Sequence, residues 1–93
     1  MVSLSIDSRA IELVKKELAK EKAPAVRIFT IGGCCDRFEI APVKKALAGD
    51  VTFMQGGVKI YVEKELAGSA SAIELKFDEQ KGLIIELRDK TNL

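Results

Sequence analysis

The spacing of apolar residues changes once near the start of the chain and then holds a period of two almost to its end. Across residues 7 to 22, "DSRAIELVKKELAKEK", Ile11, Val14 and Leu18 recur at helical spacing, and Ala10 and Leu13 widen the stripe. Lys15, Lys16, Glu17 and Lys20 fall on the opposite side. Asp7 or Ser8 can cap the start, and Pro24 lies just past the end. The pattern predicts an amphipathic helix whose apolar stripe packs on a core.

After Pro24 the pattern is that of strands. "AVRIFTI" is β-branched and apolar on both faces, which predicts a central strand buried on both sides. Two glycines break it. "DRFEIAPV" resumes with Phe38 and Ile40 on one face, and Pro42 marks it as an edge strand. "KKALAGD" reads as a loop or short helical turn. "VTFMQGGVKIYV" reads as two alternating strands joined by Gly56-Gly57, since paired glycines supply the positive φ angles of a tight hairpin. "EKELAGS" predicts a helical turn ended by Gly68. "AIELKF" then sets Ile73, Leu75 and Phe77 inward against Glu74 and Lys76 outward, "DEQKG" turns the chain, and "LIIELR" returns as a partner strand. The predicted class is α+β: an N-terminal helix packed on a β-rich core of about six short, mostly antiparallel strands. Residues 1–93 read as one domain, without repeats, low-complexity segments or linkers.

Composition narrows the function more than the fold. The 93 residues suffice for a single hydrophobic core. The 15 basic and 14 acidic residues are spread along the chain for a net charge of +1, which leaves no electrostatic footprint for nucleic acid or an anionic membrane. Aromatic residues make up 5% and there is no Trp, so a base-stacking platform is not expected either. The start, "MVSLSIDSRA", lacks the basic and apolar regions of a signal peptide, and no apolar run nears the ~20 residues that span a bilayer. The expected location is cytoplasmic, with cysteines kept as thiols.

The absence of histidine removes the usual general base and the commonest metal ligand. Glu63, Glu65, Asp78 and Glu79 flank helix and turn positions and read as solvated surface, with no pair placed for acid–base work. "IGG" and "QGG" lack the lysine and hydroxyl of a phosphate loop. The chain therefore reads as a protein other than an enzyme.

One segment carries chemistry. "TIGGCCDRF", residues 30 to 38, holds both cysteines of the chain, side by side behind Gly32-Gly33 at the predicted end of a strand. Free cysteines are often small buried hydrophobes, which is the plain alternative here. Against it, the glycines allow close backbone approach to a ligand, loops on a rigid scaffold are common sites, and Asp36 and Arg37 keep the segment polar. Arg37 can stabilise a thiolate. A disulfide between neighbours is strained, because consecutive Cα atoms lie ~3.8 Å apart and disulfides prefer roughly 4.4–6.8 Å. As metal ligands, two thiolates fall short of the set that zinc or a cluster iron takes, so a metal site needs a second copy of the chain.

The order of a helix, a strand ending in "GGC" (32–34), the segment "GGVKIYVEKELAG" (56–68) and then "IELKF" resembles the HesB-like family of A-type iron–sulfur carriers, the IscA and SufA kind. The similarity runs from about residue 4 to residue 77. The 56–68 segment is similar to that family's "DGVKVVVDPKSLxYLxG". In the family three cysteines carry the cluster, one in "GGCSG" and two in a C-terminal "CGC". Cys34 matches the first, Cys35 replaces the following serine, and no cysteine follows Cys35. In this the chain resembles a divergent branch with a paired Cys or selenocysteine and no C-terminal C-x-C.

The resemblance implies a HesB-like fold and a protein of iron–sulfur or metal handling. Cys34 and Cys35 would bind the cluster, iron or zinc across a homodimer, with Gly32, Gly33, Asp36 and Arg37 in support. Iron–sulfur assembly or recipient proteins would be its partners. Two other readings stay open: a thiol-redox protein cycling the doublet, and a non-catalytic protein-binding module whose cluster site has decayed.

Overall fold

Nine elements run along the chain in the computed structural model, which describes residues 2–31 and 37–89, apart from the side chains of Arg37, Phe38, Ser69 and Asp89. They are β1 (Ser3–Ile6), α1 (Ser8–Glu21), β2 (Ala25–Ile31), β3 (Arg37–Val43), β4 (Val51–Gln55), β5 (Val58–Val62), α2 (Lys64–Ser69), β6 (Ala70–Asp78) and β7 (Gly82–Asp89). The class is α+β, as the pattern predicts, with seven described strands rather than six.

Helix α1 begins and ends as its sequence dictates. Asp7 is the N-cap, and its carboxylate accepts from the Arg9 N–H at 3.0 Å. At the other end Lys22 takes a left-handed conformation (φ 54°), and the Ala23 N–H reaches back to the Leu18 carbonyl at 3.0 Å. Ala10 and Val14 are fully buried, while Ile11 and Leu18 pack at the margin of the core.

The strands form two sheets, ordered β1-β6-β7 and β3-β2-β5-β4. Three ladders are antiparallel (β2/β3, β4/β5, β6/β7) and two are parallel (β1/β6, β2/β5). The parallel ones join residues far apart in sequence, Leu4 opposite Ile73 and Val26 opposite Ile60. One core lies between the sheets. Leu4, Ile73 and Leu75 enter it from the first, Val26, Ile28, Val58, Ile60 and Val62 from the second, and Ala10, Val14, Leu66 and Ala67 from the helices. Each sheet presents an apolar face that must be buried against another element, and the shared core buries both.

Strand β1 was not expected. Ser3 and Ser5 are exposed while Leu4 is buried, so "SLSI" does alternate, but four residues are too few for a periodicity to register. Two further expectations are corrected. Helix α2 runs on through Gly68 to Ser69 and closes at Ala70 in an extended conformation, with no left-handed glycine. Strand β2 is also not buried along its whole length on both sides, since Thr30 and Ile31 are exposed.

Edge strand β3 tolerates Pro42 for a reason of parity. The Ile28 carbonyl accepts from the Glu63 N–H and the Thr30 N–H donates to the Glu63 side chain, so even-numbered residues of β2 bond away from β3. Their register partners Phe38, Ile40 and Pro42 therefore turn their own backbone groups outward. The N–H that proline lacks is one the sheet does not use.

The outer face of β2 is closed partly by the 44–50 connection. Ala25 and Tyr61 are buried yet stand apart from the main core. Opposite Tyr61 in the β2–β5 register, Arg27 grips Asp50 in a fork, Nε to Oδ2 at 2.8 Å and Nη2 to Oδ1 at 3.1 Å. Asp50 Oδ2 also accepts from the Leu47 N–H at 2.9 Å. The guanidinium lies 5.5 Å from the centre of the Phe29 ring. The Asp50 side chain is 1% exposed and that of Arg27 12%. Hydrogen bonding to Arg27 holds the Asp50 carboxyl below its ordinary range, and the same bond raises Arg27.

A depressed carboxyl pKa contributes stability that is fully present above the unfolded value and disappears as pH falls through the folded one. Arg27 is raised above its ordinary value, so its share is lost only in strong alkali. Asp50→Asn should therefore cost about 2–3 kcal/mol at neutral pH, somewhat below a fully buried pair because Arg27 keeps some exposure. Urea unfolding at several pH values should also show a flatter loss of stability below about pH 4 in this variant.

The predicted hairpin is present, with Gln55 opposite Val58 and positive φ at both Gly56 (58°) and Gly57 (79°). A Cβ at Gly56 would lie 2.4 Å from Ile11 Cδ1, because the turn rests on α1, whereas one at Gly57 meets only the Lys15 tip at 3.7 Å. Gly57→Ala should thus carry the backbone penalty alone, about 1 kcal/mol. Gly56→Ala should cost about 2 kcal/mol or more and lower the melting temperature by roughly 10 °C.

Candidate functional site

The residues singled out as a site are Gly32, Gly33, Cys34, Cys35, Asp36 and Arg37. The first five lie outside the described residues, and only the backbone of Arg37 is described, at the start of β3. The strands on either side define the frame. Ile31 and Arg37 stand opposite one another in the β2–β3 register, so the segment carrying the doublet connects two directly paired strands.

That frame has unequal support on the two sides of β2. Toward β3 the ladder is continuous from Ala25↔Val43 to Ile31↔Arg37. Toward β5 it stops at Ile28↔Val62, where the chain turns into α2. Beyond that point Glu63 takes over. Its N–H donates to the Ile28 carbonyl at 3.0 Å, and its Oε1 accepts from the Thr30 N–H at 3.2 Å and the Thr30 hydroxyl at 2.8 Å. Glu63 reads as solvated surface in the sequence, and the structure refines this: the residue is partly buried and its carboxylate is bonded to Thr30 near the end of β2. The signal available was its position directly after a strand, where a long acceptor can reach a neighbour.

The other carboxylates that the sequence singles out, Glu65, Asp78 and Glu79, lie at turns and at the surface. Asp78 accepts from the Gln80 and Lys81 N–H groups and shapes the β6–β7 turn, and Glu79 lies 3.7 Å from Arg9 in an exposed pair. Glu65 is exposed in the first turn of α2. Among the described residues no three Cys, Asp or Glu side chains gather to hold a metal ion. A half-open cleft of about 230 Å³ between α1, β3 and β7 is lined by Leu13, Val14, Val26, Ile40 and Leu83. Glu17 is the single charge on it, so no acid–base pair converges there. Among the described residues no helix is long and apolar enough to cross a membrane.

Neither protein-family models nor curated proteins match this chain. Solved structures do. The chain is similar to SufA of Escherichia coli, which is involved in the biosynthesis of iron–sulfur clusters, with a TM-score of 0.76 and 18% identity over 97% of this chain and 88% of that one. It is similar to a protein from Aquifex aeolicus, with a TM-score of 0.66 and 22% identity over 90% of this chain and 88% of that one. It is also similar to IscA carrying a 2Fe–2S cluster, with a TM-score of 0.61 and 20% identity over 97% of this chain and 86% of that one. Likeness at such identities concerns the fold, and over nearly its whole length the chain has the α+β fold of SufA and IscA, the one implied by the HesB-like resemblance.

Proposed function

We propose that this chain handles iron–sulfur clusters or metal in the manner of an A-type carrier, binding iron, a cluster or zinc through Cys34 and Cys35 of two copies. The observation that carries this reading is the near full-length fold likeness to SufA and to IscA with its 2Fe–2S cluster. The cluster or ion is cargo here.

The donor set fits that cargo only across copies. Each chain has two cysteines and no histidine, which fills half of a tetrahedral thiolate set. Two chains supply four thiolates, a set suited to zinc and to cluster iron. Arg37, two residues after the doublet, is a cation that favours the thiolate form in which cysteine binds metal. The partners are a second copy of the chain and the proteins that assemble or receive clusters.

Anaerobic reconstitution with iron and sulfide tests this reading. A 2Fe–2S cluster shared by two chains should give visible absorption with about one iron and one sulfide per chain. The Cys34→Ser, Cys35→Ser double variant should remain colourless, and gel filtration of the loaded protein should report a dimer. A colourless wild-type protein with two free thiols would sink the cluster form of the proposal. Cycling of the doublet between thiol and disulfide would then be the reading to test.

A further inference from the structure

Strand β4 is an outer strand of its sheet, and the parity of its hairpin decides which backbone groups it turns outward. The turn closes on Gln55 opposite Val58 with positive φ at both Gly56 and Gly57, the geometry in which the closing pair exchanges its hydrogen bonds. Antiparallel pairs alternate, so Phe53 with Ile60 and Val51 with Val62 are bonded in the same way. Thr52 and Met54 lie between them and turn their N–H and C=O groups away from β5. The row ends at Asp50, whose N–H donates to the Leu47 carbonyl at 3.1 Å. At the other end the Gln55 side chain donates to the Leu4 carbonyl and closes the corner against β1.

The side chains of β4 suit the same pairing. "VTFMQ" is rich in strand-forming residues and contains neither proline nor a charged residue. Thr52 and Met54 are both exposed, and Met54, at 64%, is the most exposed large apolar side chain among the described residues.

A second copy of the chain answers this row. About a two-fold axis at Phe53, an antiparallel partner sets Thr52 opposite the partner's Met54 and Met54 opposite the partner's Thr52. Both pairs would then exchange the backbone groups that β5 does not use. Each exposed Met54 would lie beside a threonine, and the axis brings no like charges face to face, because β4 has none.

We propose that the edge Val51–Gln55 is a contact surface for a second copy of this chain, the two β4 strands pairing antiparallel and joining two four-stranded sheets into one. A five-residue edge falls short of the ~1,200 Å² at which stable interfaces begin, so the dimer is reversible and set by concentration. Strand β2 is parallel to β5 and therefore antiparallel to β4. Across the axis its direction reverses, which places the Ile31 ends of the two β2 strands at opposite ends of the joined sheet. The contact is thus separate from any bridging of chains through Cys34 and Cys35, and it does not depend on metal.

Sedimentation equilibrium of the reduced protein in EDTA, from about 5 µM to about 500 µM, tests this. The average mass should rise from one chain toward two, and the Cys34→Ser, Cys35→Ser double variant should behave alike. Thr52→Pro removes an N–H that the hairpin does not use, and Met54→Lys sets two cations diagonally across the axis. Each should weaken the dimer by roughly 10-fold or more. Met54→Lys should leave the melting temperature of dilute protein within ~5 °C of wild type, which keeps the test valid if Thr52→Pro unfolds.

A mass that stays at one chain throughout overturns the proposal and leaves the edge to a strand of a different protein. A dimer indifferent to Met54→Lys and to a folded Thr52→Pro overturns it too. So does a dimer lost with EDTA or with the cysteines, which would assign the contact to the thiols. A protein that takes up no cluster yet dimerises through β4 would sink the cluster reading and leave this inference standing.

Discussion

The parallel pairing of β2 with β5 is the constraint from which the rest of the arrangement follows. It makes β2 an interior strand, and it brings Val26 and Ile28 alongside Ile60 and Val62 into one apolar surface. That surface needs a second sheet to cover it, and β6 with its neighbours supplies one through Ile73 and Leu75. A parallel pair also needs a long crossover. Here β3, the 44–50 connection and β4 fill that role, which puts the Arg27–Asp50 fork across the outer face of β2. Finally, the pairing stops short, and that early stop leaves Thr30 to Glu63.

Local chemistry was legible in the sequence where it acts over short separations. Asp7 as a cap, the Gly56-Gly57 hairpin, the alternation from Ile73 to Phe77 and Pro42 on an edge each follow from a few neighbouring residues. What escaped depends on residues far apart. Leu4 joins a strand only because Ile73, nearly at the other end of the chain, lies beside it. Arg27 and Asp50 look like unrelated charges until the connection folds over the sheet. Gly68 reads as a helix stop, but packing of Leu66, Ala67 and Ala70 into the core carries the helix past it.

The candidate site divides along the same line. The cysteine doublet is conspicuous as residue types, because thiols behind two glycines have few chemical uses. Nothing about Glu63 in the sequence marks it as a partner of Thr30, since that bond spans a sheet and not a motif. Fold likeness to SufA and IscA supplies the context for proposing that the doublet binds metal, and ligand counting makes a second copy a requirement of that proposal.

Pro42 has a consequence beyond its own strand. An open sheet edge is a template on which further strands can grow, and long flat edges are where folded proteins begin to associate in fibrous form. On β3 the outward-facing row of donors is interrupted at Pro42, so an incoming strand finds a gap just after Ile40. Strand β7, one of the two outer strands of the other sheet, has no proline and carries Leu83, Ile84, Ile85 and Leu87 in a run of eight residues. Its protection rests on charge instead, with Glu86 and Arg88 tied across to Lys76 and Glu74. These two edges are thus guarded against runaway growth by different means, one insensitive to salt and the other weakened by it.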